Sequence, residues 1–243
     1  MLPSRRAFAP HWRCVGDAVT IPAGQGIRVV GDVHGDARAF AAAARTDLFV
    51  IQLGDLVDHG PDSAEALRIA FDLRESGKGL FLLGNHDLKL ARALAGQEVR
   101  MTSKLATTLA QLDPALRDRA RTEFARAPAW LVQRRRMFVH GGFHTAMLEE
   151  TPPAAPEGRV HGVLSRALYG EPTGRTQKDG YPERSLRWVD RIPADMTVYC
   201  GHDRRSTDGR PYIRHGALGG VAVFLDTGAG KGGHLSWIDL PPE

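Results

Sequence analysis

Five short clusters carry side chains able to hold metal ions or move protons: GDVHGD at 31–36, GDLVDHG at 54–60, GNHD at 84–87, HGG at 140–142 and GH at 201–202. Asp32, His34, Asp55, Asn85, His86, His140 and His202 each fall just after a short apolar run, and glycine flanks every cluster. Oxygen and imidazole donors without thiolate suit manganese, iron or zinc. Two such ions about 3.5–4 Å apart need a bridging carboxylate, and they clamp the attacking and phosphoryl oxygens of an in-line displacement. A neutral amide such as Asn85 ligates without adding charge, and the glycines let the backbone turn sharply beside a substrate. Any one of these residues alone reads as a cap or a satisfied polar contact. Five clusters in equivalent positions read as one site.

The elements that must position them are legible. IRVV at 27–30, LFVIQL at 48–53 and GLFLL at 79–83 are strand-like. Between them lie an alanine-rich segment at 36–45 and a helical pattern at 62–76, for which Ser63 is the expected N-cap. This order predicts a βαβαβ unit, whose ligands bind beyond the carboxyl ends of its strands. Asp32 and Asp55 are 23 positions apart, and Asp55 and Asn85 are 30 apart. Each interval is one helix plus one strand, so the clusters lie side by side. Residues 87–127 read as helices broken near Gly96 and at Asp113-Pro114, with Leu105, Leu109 and Leu112 on one apolar face. Strands are expected again at 129–132, 137–140, 196–202, 219–226 and 234–240, with the arginine run 134–136 in a turn. The Pro- and Gly-rich stretch 149–184 reads as a long surface loop. No repeat or linker divides the chain, which is read as one domain, 1–243.

The chain has 243 residues, 42% hydrophobic and 25% charged, which excludes wholesale disorder. A net charge of +4 permits an anionic substrate without requiring nucleic acid. The basic residues are scattered, and no recognition-helix or aromatic-stacking pattern marks a nucleic-acid partner. Two separated cysteines, Cys14 and Cys200, exclude a disulfide framework and a cysteine-built zinc site and fit a reducing cytoplasm. Cys200 reads as a small buried hydrophobe. No apolar run approaches the roughly 18–20 residues that span a bilayer, and MLPSRRAFAPHW lacks the apolar core of a secretory signal.

Taken in order, the five motifs resemble those of the phosphoprotein-phosphatase type of calcineurin-like metallophosphoesterases. The resemblance implies an α/β fold, a four-layer sandwich of two mixed β-sheets flanked by helices, with metals at one edge. It implies two divalent ions, manganese before iron or zinc. Asp32 and His34 would hold one ion, Asp55 would bridge, and Asn85, His140 and His202 would hold the other. His86 would be the general acid on the leaving-group oxygen, oriented by Asp58, and a metal-bridged hydroxide would attack without a phosphoenzyme. A closer resemblance covers about 27 to 240. GNHDLKLARALAG, LATTLAQL, ALYGEPTG with DGYPERSLRW, and LDTG with GG look like the phosphatase module of bacterial polynucleotide kinase-phosphatases. GNHDLKL is also similar to symmetrical diadenosine-tetraphosphate hydrolases.

Two departures bear on substrate binding. The family usually places arginine after Asp58; here it is His59, which is charged mainly below about pH 6.5. Threonine usually follows GH; here Asp203 does, then Arg204 and Arg205. His59, Arg204, Arg205 and Arg184 in PERS are therefore the phosphate-binding candidates. The module resemblance puts Asp226, in LDTG, behind the ligands, where it would orient a ligating histidine or cap a turn. Tyr169 and Tyr181 are candidates for the substrate mouth. His144 reads as a supporting or surface residue, and His161, His215 and His234 have no pattern behind them. The expected function is a metal-dependent phosphoesterase acting on phosphate monoesters of phosphoproteins, nucleotides or nucleic-acid ends. A dinucleoside-polyphosphate hydrolase is the alternative. An inactive metal-binding scaffold is disfavoured, because all six ligands and the acid are present.

Overall fold

The computed structural model describes residues 21–22, 24–151, 160–177 and 180–242. The amino-terminal MLPSRRAFAPHW and Cys14 lie outside the described residues, as do 152–159 of the expected loop.

The first three apolar runs form strands β1 (Ile27–Val30), β2 (Phe49–Gln52) and β3 (Gly79–Phe81), linked by helices α1 (Ala37–Ala44) and α2 (Ser63–Glu75). Asp62, not Ser63, caps α2: its carboxylate accepts from the Glu65 amide at 2.9 Å. The carboxylate one residue earlier reaches the third helical amide, which leaves the Ser63 hydroxyl free to accept from the Asp58 amide at 3.0 Å. The helical stretch that follows divides into α3 (Asn85–Leu94), α4 (Ser103–Gln111) and α5 (Pro114–Arg126), with proline at the first position of α5.

The second half begins with β4 (Trp130–Gln133) and β5 (Arg136–Val139). Stretch 149–184 is not a plain loop. It holds helix α6 (Gly162–Tyr169) and a hairpin of β6 (Pro172–Thr176) and β7 (Pro182–Arg184). Flanking Pro and Gly hid the apolar stripe of Leu164, Ala167 and Leu168, which packs α6 onto both flanking cores. Then come β8 (Thr197–Cys200), β9 (Tyr212–His215), β10 (Val221–Phe224) and β11 (Trp237–Leu240). Strand β9 was not expected. It is a mostly exposed edge strand without apolar alternation, held by backbone pairing to β10.

Two mixed sheets result, in the orders β11-β1-β2-β3 and β4-β5-β8-β10-β9. Side chains alternate along each strand, and this alternation builds the layers. Val29, Phe49, Ile51, Phe138, Tyr199 and Val223 fill the space between the sheets. Val30, Val50 and Phe81 face α1 to α5, whereas Met137, Val139 and Val198 face α6 and Trp188. The architecture is helices, sheet, sheet, helices. β1, β2 and β3 are mutually parallel, as are β5, β8 and β10, so each sheet delivers its strand ends together.

Candidate active site

The two sets of strand ends meet at one edge of the sandwich. His140, after β5, shares a 3.0 Å hydrogen bond through Nδ1 with the Leu53 carbonyl after β2. The His202 amide, after β8, donates to both oxygens of Asp32 after β1, at 3.1 Å each. The contact is close enough to require glycine at 201, where a Cβ would stand 2.0 Å from Asp32 Oδ1. Five site residues hold left-handed backbone: His34 (φ 46°), Asp55 (60°), Asp58 (71°), His59 (68°) and His202 (62°). Such conformations cost of order 1–3 kcal/mol each and persist where the surroundings impose them.

Asp55 stands at the centre. Its Oδ2 is 3.5 Å from His34 Nε2, and its Oδ1 is 3.5 Å from His140 Nε2. Asp32 Oδ2 is 3.7 Å from His34 Nε2, and Asn85 Oδ1 is 3.1 Å from His140 Nε2. Three groups of donor atoms form, Asp32–His34–Asp226, Asp55–His140–His202 and His34–His59–His86, each within 4.8 Å. His34 Nδ1 bonds the Val57 carbonyl at 3.0 Å, as His140 Nδ1 bonds that of Leu53, so both rings turn Nε2 inward. Asp87 fastens the Asp55 loop from behind, its carboxylate accepting from the amides of Asp55, Leu56 and Gly84 at 2.7, 2.9 and 3.1 Å.

The electrostatics call for cations. Asp32, Asp55 and Asp226 are buried carboxylates in one cluster. Burial, then the neighbouring Asp226, pushes Asp32 well above the usual carboxylate range. Burial opposes charge on His140, yet the Asp55 and Asp32 carboxylates raise it to about 9. Burial holds His34 well below its ordinary value, as a neutral ligand must be. His34 Nε2, His202 Nε2 and Asp226 Oδ2 are buried with no hydrogen-bond partner. Divalent ions would satisfy all three atoms and neutralise the carboxylates, so the donor set fits the metals the fold implies.

Beside this cluster, His86 Nδ1 bonds Asp58 Oδ2 at 2.6 Å, and Asp58 Oδ1 accepts from the Thr108 hydroxyl at 2.8 Å. The His86 amide, in the first turn of α3, donates to Asp55 Oδ1 at 2.9 Å. Burial would lower His86, but Asp55 and Asp58 raise it above the ordinary histidine value. The ring is oriented, with Nε2 opposite the Asp58 bond.

The phosphate-binding candidates part company. His59 stands edge-on to His34, with ring centroids 4.8 Å apart. Burial and the cations of Lys231 and Lys104 lower it to about 4, and Lys104 Nζ bonds its Nδ1. Two lysines, Lys104 and Lys231, bring positive charge to this corner. Arg184 donates to the Tyr169 carbonyl at 3.0 Å, and its charge reaches His202. Arg205 is turned to Asp203, with Nε to Oδ2 at 3.0 Å. Arg204 packs beside Gly228. Asp226 Oδ1 accepts from the Gly228 amide at 2.9 Å, a turn cap, and its other oxygen faces Asp32 and His34. The Tyr169 ring lies 6.4 Å from that of His202, and His144 caps a short 3₁₀ turn. Lys231, Lys104, Asp87 and Thr108 escaped the sequence reading. A lone lysine in the glycine-rich stretch after Asp226 was the available signal for Lys231; Lys104 and Thr108 offered none.

A two-sheet sandwich with a buried oxygen-and-imidazole centre at the strand ends defines a metal-dependent phosphoesterase. Residues 27–206 match the family model for calcineurin-like phosphoesterase, and the chain belongs to that family, as a hydrolase of phosphoric ester bonds. A protein of Geobacillus thermodenitrificans named bis(5'-nucleosyl)-tetraphosphatase PrpE (asymmetrical) is 29% identical over 239 residues, 88% of this chain and 90% of that one. Its namesake from Halalkalibacterium halodurans is 30% identical over 199 residues, 78% and 74% of the two chains. The fold is shared with a protein serine/threonine phosphatase of Saccharomyces cerevisiae (TM-score 0.62, 14% identity, 90% of this chain and 81% of that one). It is shared also with a cold-active protein-tyrosine phosphatase of a Shewanella species (TM-score 0.52, 13% identity, 88% and 75%). Among the described residues, no helix is long and apolar enough to cross a membrane.

Proposed function

We propose that this phosphoesterase cleaves a phosphoanhydride bond in a dinucleoside polyphosphate, the activity in the names of the relatives above. The observation that carries the reading is the placing of cations at both ends of the metal-ligand cluster. Lys104 stands at the His34–His59 end and Arg184 at the His202 end. A polyphosphate carries charge on both sides of the bond that breaks, and cations at both ends match it. A monoester has one phosphate to offer.

In this reading Asp32, His34 and Asp55 would hold one ion, and Asp55, Asn85, His140 and His202 would hold the other. Asp226 supports the first group. When bound, the two ions acidify a water and draw charge from the phosphoryl oxygens. His86, held by Asp58, gives its Nε2 proton to the leaving oxygen. Oxygen and imidazole donors suit manganese, with iron or zinc next. A reducing cytoplasm suits the free, buried Cys200. The whole chain acts as one domain, without nucleic acid or membrane as an obligate partner.

Phosphate monoesters on proteins, nucleotides or nucleic-acid ends are the second reading, and the His86–Asp58 pair favours it. An alkoxide leaving group needs that proton, whereas a phosphate leaving group needs it far less. The test is a parallel assay of manganese-loaded protein on dinucleoside tetraphosphate, aryl phosphate, phosphopeptides and 3′-phosphate oligonucleotides. The proposal expects the tetraphosphate to give the highest kcat/KM. A higher value on any monoester overturns it in favour of the second reading.

A further inference from the structure

We propose that Lys231 is the fixed cation that receives a phosphoryl oxygen of the substrate. The inference rests on the phosphoesterase chemistry of the family and holds for an anhydride or a monoester alike.

The first argument is position. Lys231 lies in the loop that leaves β10 through Asp226 and returns at His234, where Gly228 and His234 pair as a bridge. This loop is pressed against the ligand loops. A Cβ on Gly230 would stand 2.3 Å from the His34 carbonyl oxygen and 3.1 Å from the Gly60 amide nitrogen. The backbone next to Lys231 is therefore fixed against the two loops that carry His34 and His59. Its ammonium comes 3.8 Å from Asp226 Oδ2, the unpartnered oxygen facing Asp32 and His34.

The second argument is the ammonium's surroundings. The Lys231 side chain is only 14% exposed, and it lies beside the fully buried Asp226 carboxylate. At 3.8 Å the Asp226 contact is an ion pair without a hydrogen bond. Burial disfavours a charged ammonium, so this one depends on the anions it faces. Its carboxylate neighbours are the groups that fit metal ions, so they are shared once metals are bound.

The third argument is charge. Asp32, Asp55 and Asp226 bring three negative charges; two divalent ions and one ammonium outweigh them by two. A phosphate dianion supplies those two charges. Among the described residues the other cations near the cluster are engaged elsewhere: Lys104 on His59, Arg205 on Asp203, and Arg184 on backbone carbonyls. Lys231 is thus the inner cation, with Lys104 and Arg184 outside it.

The experiment uses manganese-loaded full-length protein and inorganic phosphate as probe. For Lys231→Met, Lys231→Arg and wild type, bound metal is measured by elemental analysis and the phosphate Kd by calorimetry. Lys231→Met should keep its metal and bind phosphate about 10–100-fold more weakly, the worth of a charge-assisted hydrogen bond. Lys231→Arg should recover most of that loss. Unchanged phosphate affinity in Lys231→Met overturns the proposal, and so does a loss of metal that accounts for the weaker binding. Should Lys231→Met fail to fold, wild-type protein carrying ¹³Cε-lysine is titrated with phosphate. A saturable shift of the Lys231 signal is expected, and its absence refutes the assignment. Phosphate binding is read without turnover, and a phosphoryl group is common to both substrate readings, so this result is independent of the substrate assay.

Discussion

The His86–Asp58 pair makes a prediction that separates leaving groups. In the proposed mechanism His86 protonates the leaving oxygen, so His86→Ala removes that donor, and it should leave both groups of candidate metal ligands in place. General acid catalysis contributes typically about 10²–10⁴-fold. The loss in kcat/KM should approach that range for an alkyl phosphate and be far smaller for p-nitrophenyl phosphate, whose leaving group is a weak base. A dinucleoside tetraphosphate should behave like the aryl ester. Steady-state kinetics on the three substrates, with metal content measured alongside, is the assay. Equal losses on alkyl and aryl phosphates, with metal retained, refute acid catalysis by His86.

Asp58→Asn tests the same pair through pH. The 2.6 Å bond to Asp58 Oδ2 supports the protonated His86 ring. A hydrogen bond between charged partners is worth about 1.5–3 kcal/mol, or roughly one to two pH units at 1.36 kcal/mol per unit. The sign follows from which form works. The acid is active while protonated, and the partner carboxylates raise His86 against the lowering effect of burial. Removing the Asp58 charge lowers the His86 pKa, so the alkaline limb of kcat/KM for an alkyl phosphate moves to lower pH by about one to two units. An alkaline limb that stays in place shows that it belongs to another group.

Three further outcomes are expected. Asp55→Asn should lose bound metal and with it essentially all turnover, since its two oxygens face the two histidines of different donor groups; two ions per chain by elemental analysis with normal turnover would remove the bridging role. His59→Ala should leave the shape of the pH profile unchanged between about pH 6 and 9, because a group lowered to about 4 carries no proton there; a limb that vanishes would show a charged His59. Gly201→Ala forces a Cβ to within 2.0 Å of Asp32 Oδ1 and should cost about 1–3 kcal/mol in chemical denaturation together with weaker metal binding; an unchanged denaturation midpoint would show that the loop gives way freely.

How far the sequence could be read depended on whether a feature was local. Strands followed from burial on both faces: Val29 turns to the other sheet and Val30 to the helices, so consecutive positions of the run IRVV are apolar, Arg28 apart. The motif residues were legible because each strand end needs its glycine and its ligand within a few positions. Helix α6 was hidden because Pro and Gly bound it on both sides, and β9 because an exposed edge strand needs no apolar alternation. The α2 cap was misplaced by one residue, since Asp62 and Ser63 are both good caps and only the third helical amide decides between them.

The residues that escaped are those whose parts are set by another element. Lys104 meets His59 only because α4 packs beside the Asp58 loop, and Thr108, one turn further along the same helix, reaches Asp58 for the same reason. Nothing near positions 104 and 108 announces either contact. His59 shows the converse. Its identity was visible and its charge was inferred from chemistry in water, where an imidazole titrates near neutrality. Burial, with two lysines brought in by distant elements, lowers its pKa to about 4. A sequence motif therefore fixes where a ligand stands, because the backbone turn is local. It does not fix which groups are charged, because charge depends on what the rest of the fold packs against them. The distinction bears on substrate choice as well. The candidate metal ligands belong to the local motifs, whereas Lys104, Lys231 and Arg184 belong to α4, the β10–β11 loop and the β6–β7 hairpin, so this framework can keep its chemistry while these cations select a different phosphate chain.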